Sequence, residues 1–191
     1  MVTVKPPKNW RNVVWEPAWV LAFDASMANT GWALVRFSPS SYIPRISLTG
    51  TIRTGRDDGS NDSIKGSLER GDLIYREACT VFEAIHIDDL FVVHELPAMQ
   101  TMVKQVRKAE GGPISAMAVR AAALAHGYEP LTVHGTTMKR LVTGDGKATK
   151  QQVGEAVVEL FRFLTKSNEH IRDALGLAVA WMLNEKKWIE T

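Results

Sequence analysis

A chain of 191 residues is long enough for one well-buried core and short for two. Its 45% hydrophobic and 23% charged content is ordinary for a globular domain, and no apolar run approaches the roughly 20 residues of a membrane span. The net charge of +2 is too small to announce a nucleic-acid partner, and the single cysteine, Cys79, excludes an internal disulfide.

Residues 1–17 carry Pro6, Pro7 and Pro17 among polar residues and short apolar fragments. They are expected to form an extension packed over the domain edge through Trp10 and Trp15, with the domain itself over 18–191. Their basic residues are not followed by a signal-type apolar core, so a cytoplasmic location and no membrane contact are expected.

Trp19–Phe23 is an apolar run too short for a helix and predicts a buried strand that ends on Asp24. A turn through Asn29 and Gly31 leads into a second strand at Trp32–Val35, and Ser38–Ser41 makes the next turn. Ile46–Ile52 alternates apolar and polar residues as a third strand should, which suggests an antiparallel meander. Residues 54–66 read as a polar loop in which Asp57 and Asp58 are solvated.

From Ser67 to about Ile87, Leu68, Leu73, Ile74, Ala78, Val81, Phe82 and Ile85 recur at helical spacing, and Cys79 in that pattern reads as a core thiol. Asp88 and Asp89 precede Leu90–Val93, a second buried strand, which delivers Glu95 just before Pro97 stops the pairing. Residues 99–112 suggest a mobile segment or frayed helix start. Pro113 begins a helix to about His126, with Ile114, Met117, Ala118, Ala121, Ala122 and Ala125 on one face. Core packing or close contact with a second subunit would each explain that face.

Leu131–Val133 is a short strand, Thr136 is placed to cap a helix through Leu141, and Thr149 to cap one to about Leu164. A final helix from near Glu169 carries Ile171, Ala174, Leu175, Ala178, Val179 and Met182 inward. His86, His94, His126 and His134 share no spacing that suggests zinc.

Three antiparallel strands followed by strands reached through helical crossovers predict an α/β mixed sheet flanked by helices. One end of such a sheet gathers the residues that end its strands. Asp24 and Glu95 therefore converge if their strands pair. His170 and Asp173 share a face of the last helix, so the same point collects Asp24, Glu95, Asp173 and His170. Such hard ligands suit Mg²⁺ or Mn²⁺, and several carboxylates can hold two ions about 4 Å apart for in-line displacement at phosphorus. Lys104, Arg107 and Lys108 form one basic cluster and Lys139, Arg140, Lys147 and Lys150 another, able to hold a nucleic-acid backbone.

Four segments resemble the RuvC Holliday-junction resolvases of the RNase H-like superfamily. LAFDASMANTGWALV (21–35) is similar to their first strand and turn, and VVHELPA (92–98) to the strand that ends in the catalytic Glu. KRLVTGDGKATKQQV (139–153) is similar to the segment before the last helix, and HIRDALGLAVAWM (170–182) to that helix, where relatives carry Asp or His three residues before the last Asp. The resemblance runs from about residue 19 to 184 in family-like order.

It implies an RNase H-like fold and metal-dependent cleavage of four-way junctions by paired symmetric nicks. Asp24, Glu95, His170 and Asp173 would be the catalytic metal ligands for two ions, and Lys139, Lys147 and Lys150 would lie near the junction backbone. It also implies a homodimer. Relatives often place an aromatic wedge after the Glu; here Met99 or Met102 would stand in for it. Asp-Ala-Ser in place of Asp-Pro-Gly, and the N-terminal extension, resemble a divergent phage-type branch, whose site of action would be the host cytoplasm.

Two other enzyme readings compete, a broader endonuclease on forks and flaps and an actin-like or sugar-kinase-like ATPase. The ATPase shares the superfamily fold and an early Asp-x-Gly turn, but Ser26 occupies the glycine position and no second such turn follows. A junction-binding protein without catalysis would not need all four acidic or His positions.

Overall fold

The structure, a computed structural model, describes residues 13–55, 64–96, 111–162, 168–185 and 187–190. Trp10, Asp57, Asp58, Met99, Met102, Lys104, Arg107 and Lys108 lie outside the described residues. In chain order the elements are β1 (Val13–Trp15), β2 (Ala18–Asp24), β3 (Asn29–Ser38), β4 (Ser41–Arg53), α1 (Ile64–Glu83) and β5 (Leu90–Leu96). They continue as α2 (Gly111–Ala125), β6 (Pro130–His134), α3 (Gly135–Thr143), α4 (Lys150–Phe161), α5 (Glu169–Asn184) and β7 (Trp188–Glu190).

Five strands form one sheet in the order β4-β3-β2-β5-β6. β2, β3 and β4 pair antiparallel, and β5 and β6 join β2 in parallel, so the mixed sheet expected from the sequence is present. Alternation along each strand divides the core in two. Val20, Ala22, Ala33, Val35 and Val93 face α3, α4 and α5, whereas Leu21, Phe23, Leu34 and Val92 face α1 and α2. Covered on both faces, β2 reads as a continuous apolar run rather than an alternating one. Helix α5 is apolar on every side because it is itself enclosed, with the run Asp173–Leu183 buried throughout.

Residues 13–15 form a strand that pairs with β7, and Trp15 is fully buried, edge-on to Phe37 at 5.0 Å, its indole N–H donating to the Tyr42 carbonyl at 3.0 Å. β4 is longer than Ile46–Ile52 and contains Pro44; as the edge strand it has one row of N–H groups that no neighbour needs.

Three local expectations are corrected. Helix α1 ends at Glu83 rather than near Ile87, because the Ile85 N–H turns back to the Phe82 carbonyl at 3.1 Å and drops Ile85 into the core. Thr136 caps nothing: β6 passes straight into α3, which starts at Gly135 with His134 at the cap position and no side-chain cap bond. The buried stripe of α2 is Ser115, Ala116, Ala118, Val119, Ala122 and Ala123, packed against α1 and the sheet; Met117, Ala121 and Ala125 point outward instead. Thr149 does cap α4, in a reciprocal box with Gln152, and Cys79 is half-buried against the α1–α2 core.

On α1 the inward row is Gly71, Ile74, Ala78 and Phe82, and Leu68 lies off it at 58% exposed. Ile74→Ala is expected to cost about 2–5 kcal/mol in urea unfolding, and Leu68→Ala within about 0.5 kcal/mol. Equal costs would show that the helix is rotated from the orientation described.

Candidate metal-binding active site

Asp24 ends β2, and the β2–β5 register pairs Phe23 with His94, which sets Glu95 beside Asp24 on the adjacent strand. Strand alternation turns both carboxylates to the face already lined by Ala22 and Val93, the face that α5 covers. His94 points the other way. Its ring is buried, its Nδ1 lies 3.0 Å from the Glu95 carbonyl, and its Nε2 has no hydrogen-bond partner among the described residues. Burial holds His94 below the usual imidazole range, so it is neutral.

The first turn of α5 reaches the carboxylates because Gly31, the cross-strand partner of Asp24, has no side chain. A Cβ there would stand 2.3 Å from the backbone C and O of His170. Asn168 fastens the same turn twice: its Oδ1 accepts from the Ile171 N–H at 2.9 Å, and its Nδ2 donates to Thr51 Oγ1 at 2.7 Å on β4. His170 Nδ1 consequently sits 2.8 Å from Asp24 Oδ2, and Asp173, one turn deeper, is only 8% exposed. On the other side Gly135 leaves room for Glu95, since a Cβ on it would fall 2.3 Å from Glu95 Oε1.

Burial and mutual repulsion set the electrostatics. Burial first, then the Asp24 and Asp173 charges, push Glu95 up to about 7. Burial and Asp24 push Asp173 up to about 6. The hydrogen bond to Asp24 raises His170 above the usual imidazole range, which favours imidazolium. The principal balancing cation is Lys150, the first residue of α4. Its Nζ pairs with Glu169 and lies 3.8 Å from Asp173 Oδ2; the Glu169 bond raises Lys150, and the ammonium lowers exposed Glu169.

The donor set fits a divalent cation on these grounds: three carboxylates gather at one sheet end, and two of them, Glu95 and Asp173, are raised by burial and by their neighbours' charge, a conflict that a hard cation relieves. In the present side-chain conformations no three His, Cys, Asp or Glu groups among the described residues meet closely enough to hold one ion. Asp24 is instead engaged by His170.

All four residues expected from the sequence thus come together. Of the basic residues, Lys150 joins them and Lys139 on α3 lowers Glu95 electrostatically. Arg140 is half-buried beside Gly146, and Lys147 is exposed on the α3–α4 loop, where its N–H donates to Asp145 Oδ1 at 2.8 Å. Glu169, Gly31 and Gly135 belong to the site and were not anticipated. A four-residue spacing from Asp173 could have flagged Glu169; nothing local marks the glycines as contact points.

Residues 20–181 match the family model described as crossover junction endodeoxyribonuclease RuvC. The RuvC of Nitratidesulfovibrio vulgaris is 27% identical over 168 residues, 88% of this chain and 92% of that protein. The RuvC of Orientia tsutsugamushi is 26% identical over 171 residues, 87% and 96% of the two chains. Among solved structures, Thermus thermophilus RuvC in complex with a Holliday junction superposes with a TM-score of 0.71 at 19% identity, covering 90% of this chain and 99% of that one. The yeast mitochondrial Holliday junction resolvase Ydc2 gives 0.61 at 10% identity, covering 91% and 81%. These two share the fold.

A carboxyl raised from its ordinary value to about 7 keeps its proton longer in the folded than in the unfolded chain. Stability therefore falls as pH rises between those values, and above the folded value the penalty is fully present. Removing the charge with Glu95→Gln is expected to stabilise the metal-free protein by about 2–3 kcal/mol near pH 8 and by almost nothing below about pH 5. Thermal melts with chelator at the two pH values check this, and a pH-independent effect would refute the repulsion.

Proposed function

The chain belongs to the RuvC family, hydrolytic endonucleases of crossover junctions, and we propose that it resolves four-way DNA junctions by paired symmetric nicks at a site built from Asp24, Glu95, His170 and Asp173. The observation that carries this reading is the convergence of three self-repelling carboxylates and an imidazole at the open end of β2, β5 and α5. The junction-cleaving activity for which the relatives are named, and the junction bound in the Thermus complex, favour the same substrate. The family match over residues 20–181 leaves no ground for the ATPase reading.

Asp24, Glu95, Asp173 and, once it has lost its extra proton, His170 would hold Mg²⁺, with Mn²⁺ able to substitute and two ions per site. When bound, the ions supply an activated water and stabilise the leaving oxygen of the phosphodiester. The chain's own groups do the rest. His170 orients the Asp24 carboxylate through its hydrogen bond. Lys150 holds Asp173 from one side and offers a positive edge to an incoming phosphate, with Lys139, Arg140 and Lys147 on the neighbouring segment behind it. Glu95, raised to about 7 without metal, would give up its proton on holding a cation. Lys104, Arg107 and Lys108 would extend the basic surface, and Met99 or Met102 would serve as the wedge.

Cleavage of a synthetic four-way junction against matched duplex, fork and flap tests the reading, with Mg²⁺ or Mn²⁺ added. The junction should be cut fastest. Asp24→Asn should lose more than about 100-fold in rate while binding the junction without metal. His170→Asp should keep appreciable activity that His170→Ala lacks. Equal cutting of forks and flaps would favour the broader branched-DNA endonuclease, and full activity of Asp24→Asn would refute the site.

The working unit proposed is a homodimer in the cytoplasm, because a two-fold junction needs the same site twice. Among the described residues no helix is long and apolar enough to cross a membrane. The contact would use the outward side of α2, where Met117 is 62% and Leu124 47% exposed. Sedimentation at micromolar concentration should give twice the chain mass, and Met117→Glu with Leu124→Glu should halve it. A wild-type monomer, free and on DNA, would overturn the dimer.

A further inference from the structure

The hairpin of β3 and β4 has a second end, remote from Asp24, and a cavity of about 610 Å³ opens there. Arg36, Ser38, Ser40, Ser41 and Arg45 line it, with Phe161 from the end of α4, and none of its lining residues is acidic. Arg36 and Arg45 are direct cross-strand partners. Like charges in that position repel, so the pairing costs stability.

No carboxylate among the described residues pairs with either arginine, and both are exposed. Arg36 is nonetheless held in place, its guanidinium 5.6 Å from the Trp19 ring centroid. Beside the cavity, Arg162 lies over the Tyr42 ring at the same distance of 5.6 Å. Arg162 does so from a left-handed backbone at φ 57°, which a non-glycine residue adopts at a cost. Ser38 and Ser40 share a hydroxyl bond of 2.8 Å at the turn, which leaves one of their two hydroxyl protons for a ligand. Opposed arginines without an acid, one of them fixed on an aromatic face and both flanked by hydroxyls, suit an anion that carries several acceptor oxygens.

We propose that the Arg36–Arg45 cavity, with Arg162 at its rim, is a second DNA contact that grips a phosphate of the duplex arm leaving the active site. Arg36 is five residues along β3 from Gly31, the partner of Asp24, which is about 17 Å of strand; the odd step turns its side chain to the face of Trp19, so an arm leaving the active site reaches it round the β4 edge of the sheet. Along one DNA strand that separation corresponds to at least about five phosphates. The inference rests on the nuclease reading for the identity of its ligand.

The test is binding of a long-armed four-way junction by wild type, Arg36→Gln, Arg45→Gln and the double variant across a salt series. The double variant should bind roughly ten-fold more weakly at moderate salt, with the log–log salt slope reduced by about 2. Its cleavage rate at saturating junction should stay at the wild-type value, and Arg36→Lys should restore most of the slope. Methylphosphonate placed singly along the arm should weaken wild-type binding at one position about five or more phosphates from the cut, and not weaken the double variant there.

Unchanged affinity and slope in the double variant would overturn the proposal. So would a loss that ignores methylphosphonate position. Inorganic phosphate that shifts the Ser38–Ser41 amide resonances while junction affinity stays unaffected by both substitutions would mark a small-anion pocket and also overturn it. Failure of the nuclease reading appears separately, as wild-type protein that does not cut.

Discussion

A carboxylate at the end of a buried strand meets one on a helix only if the helix backbone touches the strand, and Gly31 is where this happens. The residue opposite Asp24 in the ladder has the His170 carbonyl carbon within 2.3 Å of where any Cβ would stand. Any other residue there would push the first turn of α5 away by about 1 Å or more to reach ordinary contact distance. His170 would lose Asp24, and Asp173 would retreat from Glu95. The Asn168 cap then holds from β4 what the glycine permits from β3. Gly135 does for Glu95 on the β6 side what Gly31 does for α5.

That proximity works against stability. Burial alone would discourage ionisation of Asp173 and Glu95, and their neighbours raise them further. The rest of the molecule supplies the rigidity to hold them. Helix α5 is enclosed by the sheet, α3 and α4, with Gly176 packed near Met138 and Gly154 near Arg172. Relaxing the repulsion by outward movement would require the most buried helix of the protein to shift, and close-packed cores resist that. A strained polar cluster on a stiff apolar support is the usual compromise between activity and stability.

The mixed sheet and the four acidic or imidazole positions were legible in the sequence because each rests on local signals. Apolar runs ending in Asp24 and Glu95, and the helical spacing of His170 and Asp173, do not depend on what packs where. What was not legible depends on tertiary geometry. The face of α2 was read one step round: in a helix of mostly small apolar residues several stripes look alike, and only contact with α1 selects Ala118 and Ala122 over Met117 and Ala121. Thr136 looked like a cap, but a strand running directly into α3 leaves that residue inside the helix. Gly31 reads as a turn glycine, and its use as a contact point exists only once α5 is in place. Lys150 was legible as a basic residue, whereas its ion pair with Glu169 spans two helices that the sequence does not orient.

Net charge was the least informative quantity, and the structure explains why. The +2 of the chain is a small difference between 23 basic and 21 acidic residues, and it conceals the local imbalance at the two ends of one hairpin. At one end of β3, Asp24 and its neighbours repel each other; at the other, Arg36 faces Arg45 with no acid between them. Each end is electrostatically unfavourable alone, and each is relieved by a partner of the opposite sign. A polyanion that needs a cation at one point and an arginine some way along its length presents both partners in one molecule. The same strand that fixes Asp24 opposite Gly31 also fixes how far away Arg36 stands. The spacing between the two ends is therefore a property of β3 as rigid as the ladder itself.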